Sequence, residues 1–183
     1  MRLSWYSLGT LPICALLLIP LASQARSLVT VKGGDVEFRG AVVVSACAVD
    51  ANSEDLTVEM GQVSSSKFRG MGSWTDPQAF TLTLKDCDTT TSQQVGVAFR
   101  GQTDGKDPGV LAVTDGAQSA LGVGLGIFDS LGNQIIPNTQ PIHFTSLQDG
   151  TTVLNFVAKY RATSASVVAG NANTQTWFTL TYL

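Results

Sequence analysis

Residues 28–40 read Leu-Val-Thr-Val-Lys-Gly-Gly-Asp-Val-Glu-Phe-Arg-Gly, and residues 177–183 read Trp-Phe-Thr-Leu-Thr-Tyr-Leu. Both stretches alternate apolar with polar side chains, which is typical of a β-strand with one buried face. The first stretch extends some 40 Å at about 3.3 Å per residue. It is either an ordinary first strand of the domain's own sheet or a spare strand. Because the second stretch ends the sequence, we expect a sheet edge with nothing of its own to cover it, which favours a polymer subunit over an enzyme.

The chain between these stretches is also predicted to be all-β. A period of two recurs in short segments separated by Asp-Gly and Gly-Asn turn signals, and no segment keeps a helical period beyond about two turns. The predicted strands are 41–47, 56–60, 80–84, 95–99, 123–127, 135–136, 143–144 and 156–160. Strands this short and frequent predict a β-sandwich of the immunoglobulin-like kind. Residues 64–77 are expected to form one long loop with a short helical turn.

Three alternating glycines, Gly122, Gly124 and Gly126, superficially resemble a nucleotide-binding loop. They lie inside a strand pattern, lack the further glycine at the required spacing and precede no helix. We therefore expect them to mark positions where another backbone or a bulky side chain approaches closely.

The first residues are interpreted as an export signal. Arg2 gives a weakly positive start, residues 8–21 are almost wholly apolar, and Ser23-Gln24-Ala25 supplies small residues at the cleavage positions. The apolar run is short for a membrane anchor, which is the alternative interpretation. We expect cleavage after Ala25, which leaves an exported chain with room for one domain.

Charge and cysteine content narrow the class of protein. The sequence carries 11 basic and 14 acidic residues, and this mild acidic excess argues against nucleic acid or an anionic membrane as partner. Cys14 lies in the predicted signal, so the exported chain keeps Cys47 and Cys87. An even pair in an exported chain predicts a disulfide. A redox couple or a metal site is disfavoured, since no C-x-x-C spacing occurs and His143 is the only histidine.

Catalytic residues do not emerge from the sequence. His143 alone cannot form a triad, and we expect a strand residue facing solvent or a hydrogen bond. Asp86 and Asp88 flank Cys87, and we expect solvated turn residues because a calcium or glycosidase site needs further ligands or a second acid. The sequence therefore predicts no catalytic, cofactor or metal site and no small-molecule substrate.

Several motifs carry a family resemblance over most of the predicted exported chain. They are Gly33-Gly34-x-Val36-x-Phe38-x-Gly40, Cys47-Ala48-Val49-Asp50, Val58-x-Met60-Gly61-Gln62-Val63, Phe80-x-Leu82-x-Leu84-x-Asp86-Cys87, Phe156-x-Ala158-x-Tyr160 and the penultimate Tyr182. In this order, behind a signal peptide, they resemble the type 1 fimbrial pilins, which are subunits of bacterial chaperone–usher pili. The match is to both the major pilin and its minor fimbrin-like homologue.

The resemblance implies an incomplete immunoglobulin-like sandwich (the pilin fold) that lacks its last strand and carries an N-terminal donor-strand extension. It divides the chain into a signal peptide (1–25), a donor extension (26–40) and a pilin domain (41–183). A periplasmic chaperone would fill the resulting groove first. At the outer-membrane usher the extension of the next subunit would replace the chaperone, and the product would be a cell-surface fimbrium that supports adhesion.

The resemblance also assigns roles to individual residues. The side chains that would enter successive groove pockets are those of Lys32, Gly34, Val36, Phe38 and Gly40. The end that the chaperone would grip comprises Phe178, Leu180, Tyr182 and Leu183. Cys47 and Cys87 match the family disulfide.

Departures from the family pattern leave the role within the pilus open. Lys32 places a charge where the last pocket would begin, and Leu183 is apolar where a polar residue is common. A minor, rod-terminating subunit is therefore as compatible with the sequence as the major one. Two other classes remain: a carbohydrate-binding fimbrial adhesin, for which residues 26–183 leave no room for a receptor domain, and a secreted β-sandwich enzyme, which needs a clustered polar site.

Overall fold

The computed structural model describes residues 45–113 and 116–183. Within these ranges the chain is built almost entirely from strands. They are β1 (Ala48–Val49), β2 (Gln78–Cys87), β3 (Gln94–Arg100), β4 (Leu111–Ala112), β5 (Val123–Asp129), β6 (Gln134–Ile135), β7 (Thr145–Ser146), β8 (Gly150–Ala162) and β9 (Trp177–Tyr182). A helix, α1, spans Ala51–Glu54, and a 3-10 turn spans Ser65–Lys67. In these two ranges no helix is long and apolar enough to cross a membrane.

The strands form two antiparallel sheets. The first has the order β1-β2-β8-β5-β4, with β6 also paired to β5, and the second has the order β7-β3-β9. The pairing of β2 with β8 sets Phe80 opposite Phe156 and Leu82 opposite Leu154. Because side chains alternate along a strand, these four apolar residues lie on one face of the first sheet.

The core lies between the two sheets. Leu84 and Phe156 of the first sheet belong to the same buried cluster as Val95 and Phe99 of the second. The rings of Phe99 and Phe156 meet edge to face with centroids 5.4 Å apart, a favourable aromatic geometry. Phe178 of β9 packs against this cluster while remaining half-buried. The predicted all-β sandwich is thus confirmed.

Most predicted strands are present, and two are not. The segments 80–84, 95–99, 123–127, 156–160 and 177–182 lie within β2, β3, β5, β8 and β9. Residues 56–60 and 143–144 were expected to be strands, but they form no ladder with any described strand. The alternation in 56–60 does place Met60 against a buried cluster, so the pattern identified the inward face correctly without a neighbouring strand to pair with.

The loop between residues 64 and 77 contains the expected short helical turn and then continues the first sheet. The amide of Gly72 donates to the carbonyl of Ala162, and the amide of Thr75 donates to the carbonyl of Tyr160. The loop thereby pairs with the part of β8 that extends beyond the end of β2. It places Trp74 on the outer face of the sheet, where the centroids of the Trp74 and Phe128 rings are 5.0 Å apart.

Close approaches explain two of the alternating glycines, as predicted. A Cβ atom on Gly126 would lie 2.5 Å from the Trp74 ring, and one on Gly124 would lie 2.3 Å from Val110 Cγ2. Neither position has room for a side chain.

The disulfide and α1 fix the start of the described chain to the end of β2. Cys47 and Cys87 are joined with their Cα atoms 4.1 Å apart and a sequence separation of 40. The helix α1 was not predicted. Its N-cap, Asp50, accepts a hydrogen bond from the amide of Asn52, and the hydroxyl of Ser53 accepts one from the amide of Thr83.

The predicted signal peptide (1–25), the predicted donor extension (26–40) and most of the 41–47 strand lie outside the described residues. They remain predictions, as does the division of the chain at residues 25 and 40.

Candidate functional site: an open apolar groove

A groove of about 1660 Å³ opens into the core of the sandwich. Its rim is made of two chain segments, residues 53–63 and residues 167–178. Its floor consists of inward-facing side chains from both sheets, namely Phe80, Leu82, Phe99, Leu125, Ile127, Ala158 and Tyr160. Leu82, Phe99 and Ile127 also belong to the main buried cluster, so the floor of the groove and the core of the fold share side chains.

The rim adds exposed apolar surface to this floor. Leu56 and Val168 are 41% and 50% exposed, and Trp177 is 62% exposed. An apolar patch that continues from the surface into the core is unusual in a domain that works alone, and it typically marks a binding site.

Strand β9 has a backbone edge that points away from its partner β3. The amide of Leu183 donates to the carbonyl of Gln94 at 3.0 Å, and the amide of Gln94 donates back at 3.2 Å. In an antiparallel ladder such exchanges recur at every second residue. The peptide groups of the intervening residues, Phe178, Leu180 and Tyr182, therefore face the opposite edge. Among the strands of the described ranges, only β3 pairs with β9.

The first rim segment has an unpaired backbone as well. Across the described part of the chain, no backbone hydrogen bond involves residues 56–63. Peptide groups that lack a protein partner must be hydrated or be bonded by something that binds there. The groove therefore lies beside two lengths of backbone that can each accept an added strand.

The second rim segment, by contrast, is held in place by side-chain hydrogen bonds. The hydroxyl of Tyr160 donates to the carbonyl of Ala172 at 2.8 Å, and that of Thr176 donates to the carbonyl of Arg100 at 2.8 Å. Burial raises the pKa of Tyr160, which keeps the phenol protonated as a donor. This side of the groove is thus anchored by hydrogen bonds from within the fold, whereas residues 56–63 on the other side make no backbone hydrogen bond in the described part of the chain.

The residues predicted for the end of the chain lie together on β9. Phe178, Leu180 and Tyr182 are half-buried against the core, and the hydroxyl of Tyr182 donates to the carbonyl of Cys47 at 3.3 Å. Leu183 is 63% exposed. The groove reaches β9 at Trp177 and Phe178. A role in chaperone binding for these residues stays a prediction, as does the entry of residues 32–40 into a groove.

The side chains considered for catalysis do not converge. His143 is exposed and lies in a loop before β7, not in the strand that the sequence suggested. Asp88 is exposed and accepts hydrogen bonds from the amide and hydroxyl of Thr90, as a turn residue does. Within residues 45–113 and 116–183, no three His, Cys, Asp or Glu side chains are grouped so that they can hold a metal ion.

Sequence reasoning missed most of the rim. Residues 167–176 are rich in small and polar side chains and show no strand period, so nothing in them signalled a wall of a binding site. The floor draws on four strands, and no local pattern predicts which of their inward side chains line the groove.

The comparisons with known proteins agree on one family. The model of the family described as Fimbrial protein matches residues 36–183. The fimbrin-like protein FimI of Salmonella typhi is 37% identical over 175 residues, covering 95% of this chain and 97% of that protein. The type-1 fimbrial protein A chain of Escherichia coli is 39% identical over 180 residues, covering 94% and 97%. Among solved structures, a chain of a chaperone–usher pilus matches with a TM-score of 0.65 at 24% identity, covering 86% of this chain and 99% of that one.

Proposed function

Because this chain belongs to the fimbrial protein family, we propose that it is a structural subunit of a bacterial chaperone–usher fimbria and polymerises by donor-strand exchange. The observation that carries the proposal is the apolar groove beside two lengths of backbone that can accept a strand, namely the outer edge of β9 and residues 56–63. A strand added to a sheet edge gains affinity from its backbone and register from alternate side chains. The groove offers both kinds of contact.

The donor is residues 28–40 of the neighbouring subunit. On one face this segment presents Lys32, Gly34, Val36, Phe38 and Gly40 to the groove. Burying Val36 and Phe38 stabilises the joint by roughly 1.5–3 kcal/mol each. About ten ladder hydrogen bonds contribute roughly 1 kcal/mol each, while ordering the donor segment costs several kcal/mol. The net free energy of association that remains is enough for very tight binding between subunits.

The same groove explains the need for a periplasmic chaperone and an outer-membrane usher. An open apolar groove with free strand edges aggregates unless it is covered. After export through the signal in residues 1–25, a chaperone strand covers the groove and grips the end of β9 at Tyr182 and Leu183. The usher then exchanges that strand for a donor segment, and the subunit becomes part of the cell-surface fimbrium.

Two variants in the donor segment test this function. Phe38→Asp replaces the largest groove-facing side chain with a charge, and Glu37→Gln changes a neighbouring side chain that faces away from the groove. Each variant is expressed in a normally fimbriated strain from which the parent subunit has been deleted. Fimbriae are then counted by negative-stain electron microscopy. We expect Phe38→Asp to abolish incorporation and Glu37→Gln to leave it near the parent level.

Deletion of residues 26–40 separates donation from folding. The shortened chain lacks a donor but keeps the groove, so it should bind a peptide copying residues 28–40 and rise in melting temperature. A deletion variant that polymerises as well as the parent would overturn the proposal.

A further inference from the structure

The charges around the groove are all of one sign. Of the residues that line it, only Glu54, Asp55 and Glu59 are charged at neutral pH, and none is a lysine or arginine. Glu54 and Asp55 lie at the end of α1, whereas Glu59 lies midway along the unpaired rim segment. A segment inserted along this rim therefore passes Glu59.

Glu59 lies on the outer face of its segment. Met60, the next residue, packs against the buried cluster of Val113, Val123 and Tyr160. Val58 is half-buried like Met60, whereas Glu59 is exposed. An inserted strand places every second side chain on this outer face, beside Glu59.

Within residues 32–40 of the donor segment those outward side chains are Gly33, Asp35, Glu37 and Arg39. Arg39 is the only one that carries a positive charge. Resting on the proposed function, we propose that Glu59 pairs with Arg39 of the inserted segment of a neighbouring subunit and that this pair sets the register of insertion.

The pair discriminates against slipped registers. A shift of two residues keeps the apolar face inward but replaces Arg39 by Glu37 beside Glu59, and a further shift brings Asp35. Both are like-charge contacts, which are unfavourable between neighbouring strands. A shift of one residue turns Phe38 out of the groove and is excluded by apolar burial alone. Glu59 thus rejects slips in this direction, which apolar contacts alone tolerate, and a slip the other way loses the pair because Ala41 carries no charge.

The test is a charge swap between the secreted full chain and a fluorescent peptide copying residues 26–40. Binding is followed by anisotropy at about 20 mM and about 500 mM salt, because screening distinguishes a charge effect from a change of shape. We expect Glu59→Lys to weaken the parent peptide about three- to tenfold at low salt. A peptide with Arg39→Glu should restore binding to Glu59→Lys and bind the parent chain more weakly.

Asp76→Lys is the matched control, since it makes the same charge change at an exposed residue that does not line the groove. It should leave the parent peptide's affinity unchanged. Failure of the Arg39→Glu peptide to restore binding, or restoration by a Lys32→Glu peptide instead, overturns the pairing. If the parent peptide binds but ignores Glu59→Lys, the register inference alone fails. If it binds neither the parent chain nor the chain lacking residues 26–40, whose groove no donor segment of its own can fill, the proposed function fails with it.

Discussion

Tyr182 and Cys47 connect the two sheets at one point. The hydroxyl of Tyr182, on the last residue of β9, donates to the carbonyl of Cys47, and Cys47 is covalently joined to Cys87 at the end of β2. The edge strand of the second sheet is therefore tethered to the first sheet through a single residue. This tether lies beyond the end of the groove, so it supports β9 without occupying the site.

Removal of the disulfide should be the largest single loss of stability. Closing a loop of 40 residues contributes about 4 kcal/mol in the chain-entropy account. Cys47→Ser combined with Cys87→Ser is expected to lower the free energy of unfolding by about that amount in urea titrations. Tyr182→Phe, which removes only the hydrogen bond to Cys47, should cost about 1 kcal/mol. Equal losses from the two changes would contradict this ranking.

Gly126→Ala should destabilise the fold because the new methyl group collides with the Trp74 ring. Overpacking of this kind typically costs about 1–3 kcal/mol. Gly105→Ala is the control, since a Cβ atom there meets nothing within 4 Å and its φ is not positive. The control should change the melting temperature little. Adding Trp74→Ala to Gly126→Ala should relieve the collision, so the two losses should be less than additive in a double-mutant cycle.

Tyr160→Phe should loosen one side of the groove. The change keeps the ring in the floor and removes the hydrogen bond to Ala172 in the rim. We expect a loss of about 1 kcal/mol in stability and faster amide hydrogen exchange in residues 167–176. Thr139→Val, which removes a hydroxyl bond to Ile136 outside the groove, should leave exchange in that segment unchanged. Unaltered exchange after Tyr160→Phe would contradict the anchoring role.

The protein should lose stability in acid. Lys85, which donates a hydrogen bond to Asp50, holds the pKa of Asp50 below its ordinary value of 3.8, and hydrogen bonds from Thr90 lower the pKa of Asp88. A carboxyl group with a lowered pKa in the folded state stabilises that state above its unfolded pKa. The contribution is lost as pH falls through the folded value, because the unfolded chain then binds more protons. The free energy of unfolding should thus be flat near neutral pH and fall below about pH 4.

Asp50→Asn checks the source of this acid sensitivity. It removes one of the responsible carboxylates, so the slope of unfolding free energy against pH between about pH 2 and pH 4 should become smaller. An unchanged slope would show that Asp50 does not contribute.

The sequence predicted the fold through the alternation of apolar and polar side chains. This signal is visible in strands that have one face against the core and the other toward solvent. In β2 and β8, Leu82 and Leu154 face the core while Thr81 and Asn155 face out, so a period of two was visible. The helix α1 escaped notice because four residues are too few to show a helical period. Its N-terminus is capped by Asp50, and its hydrogen bond to β2 comes from a single side chain, Ser53.

The sequence predicted that the domain has a groove, but it did not predict which residues line that groove. The alternation in Leu56 to Met60 predicted a strand, and the residues instead form a wall that has no described strand beside it. The predicted inward face was correct, because the apolar Met60 packs against a buried cluster. The predicted strand pairing was wrong, because no strand of the described residues lies beside this segment. The opposite wall, residues 167–176, is fixed by backbone hydrogen bonds to residues 118–121 and by single side-chain hydrogen bonds such as that from Tyr160 to Ala172. Such bonds leave no periodic trace in a sequence.

The sharing of Leu82, Phe99 and Ile127 between the core and the groove floor has a consequence for inheritance. A mutation of one of these side chains would lower both the stability of the subunit and the affinity of its groove for a neighbouring subunit. These two properties therefore cannot evolve independently at these positions. Selection on the mechanical strength of a filament would therefore act directly on the interior of its building blocks.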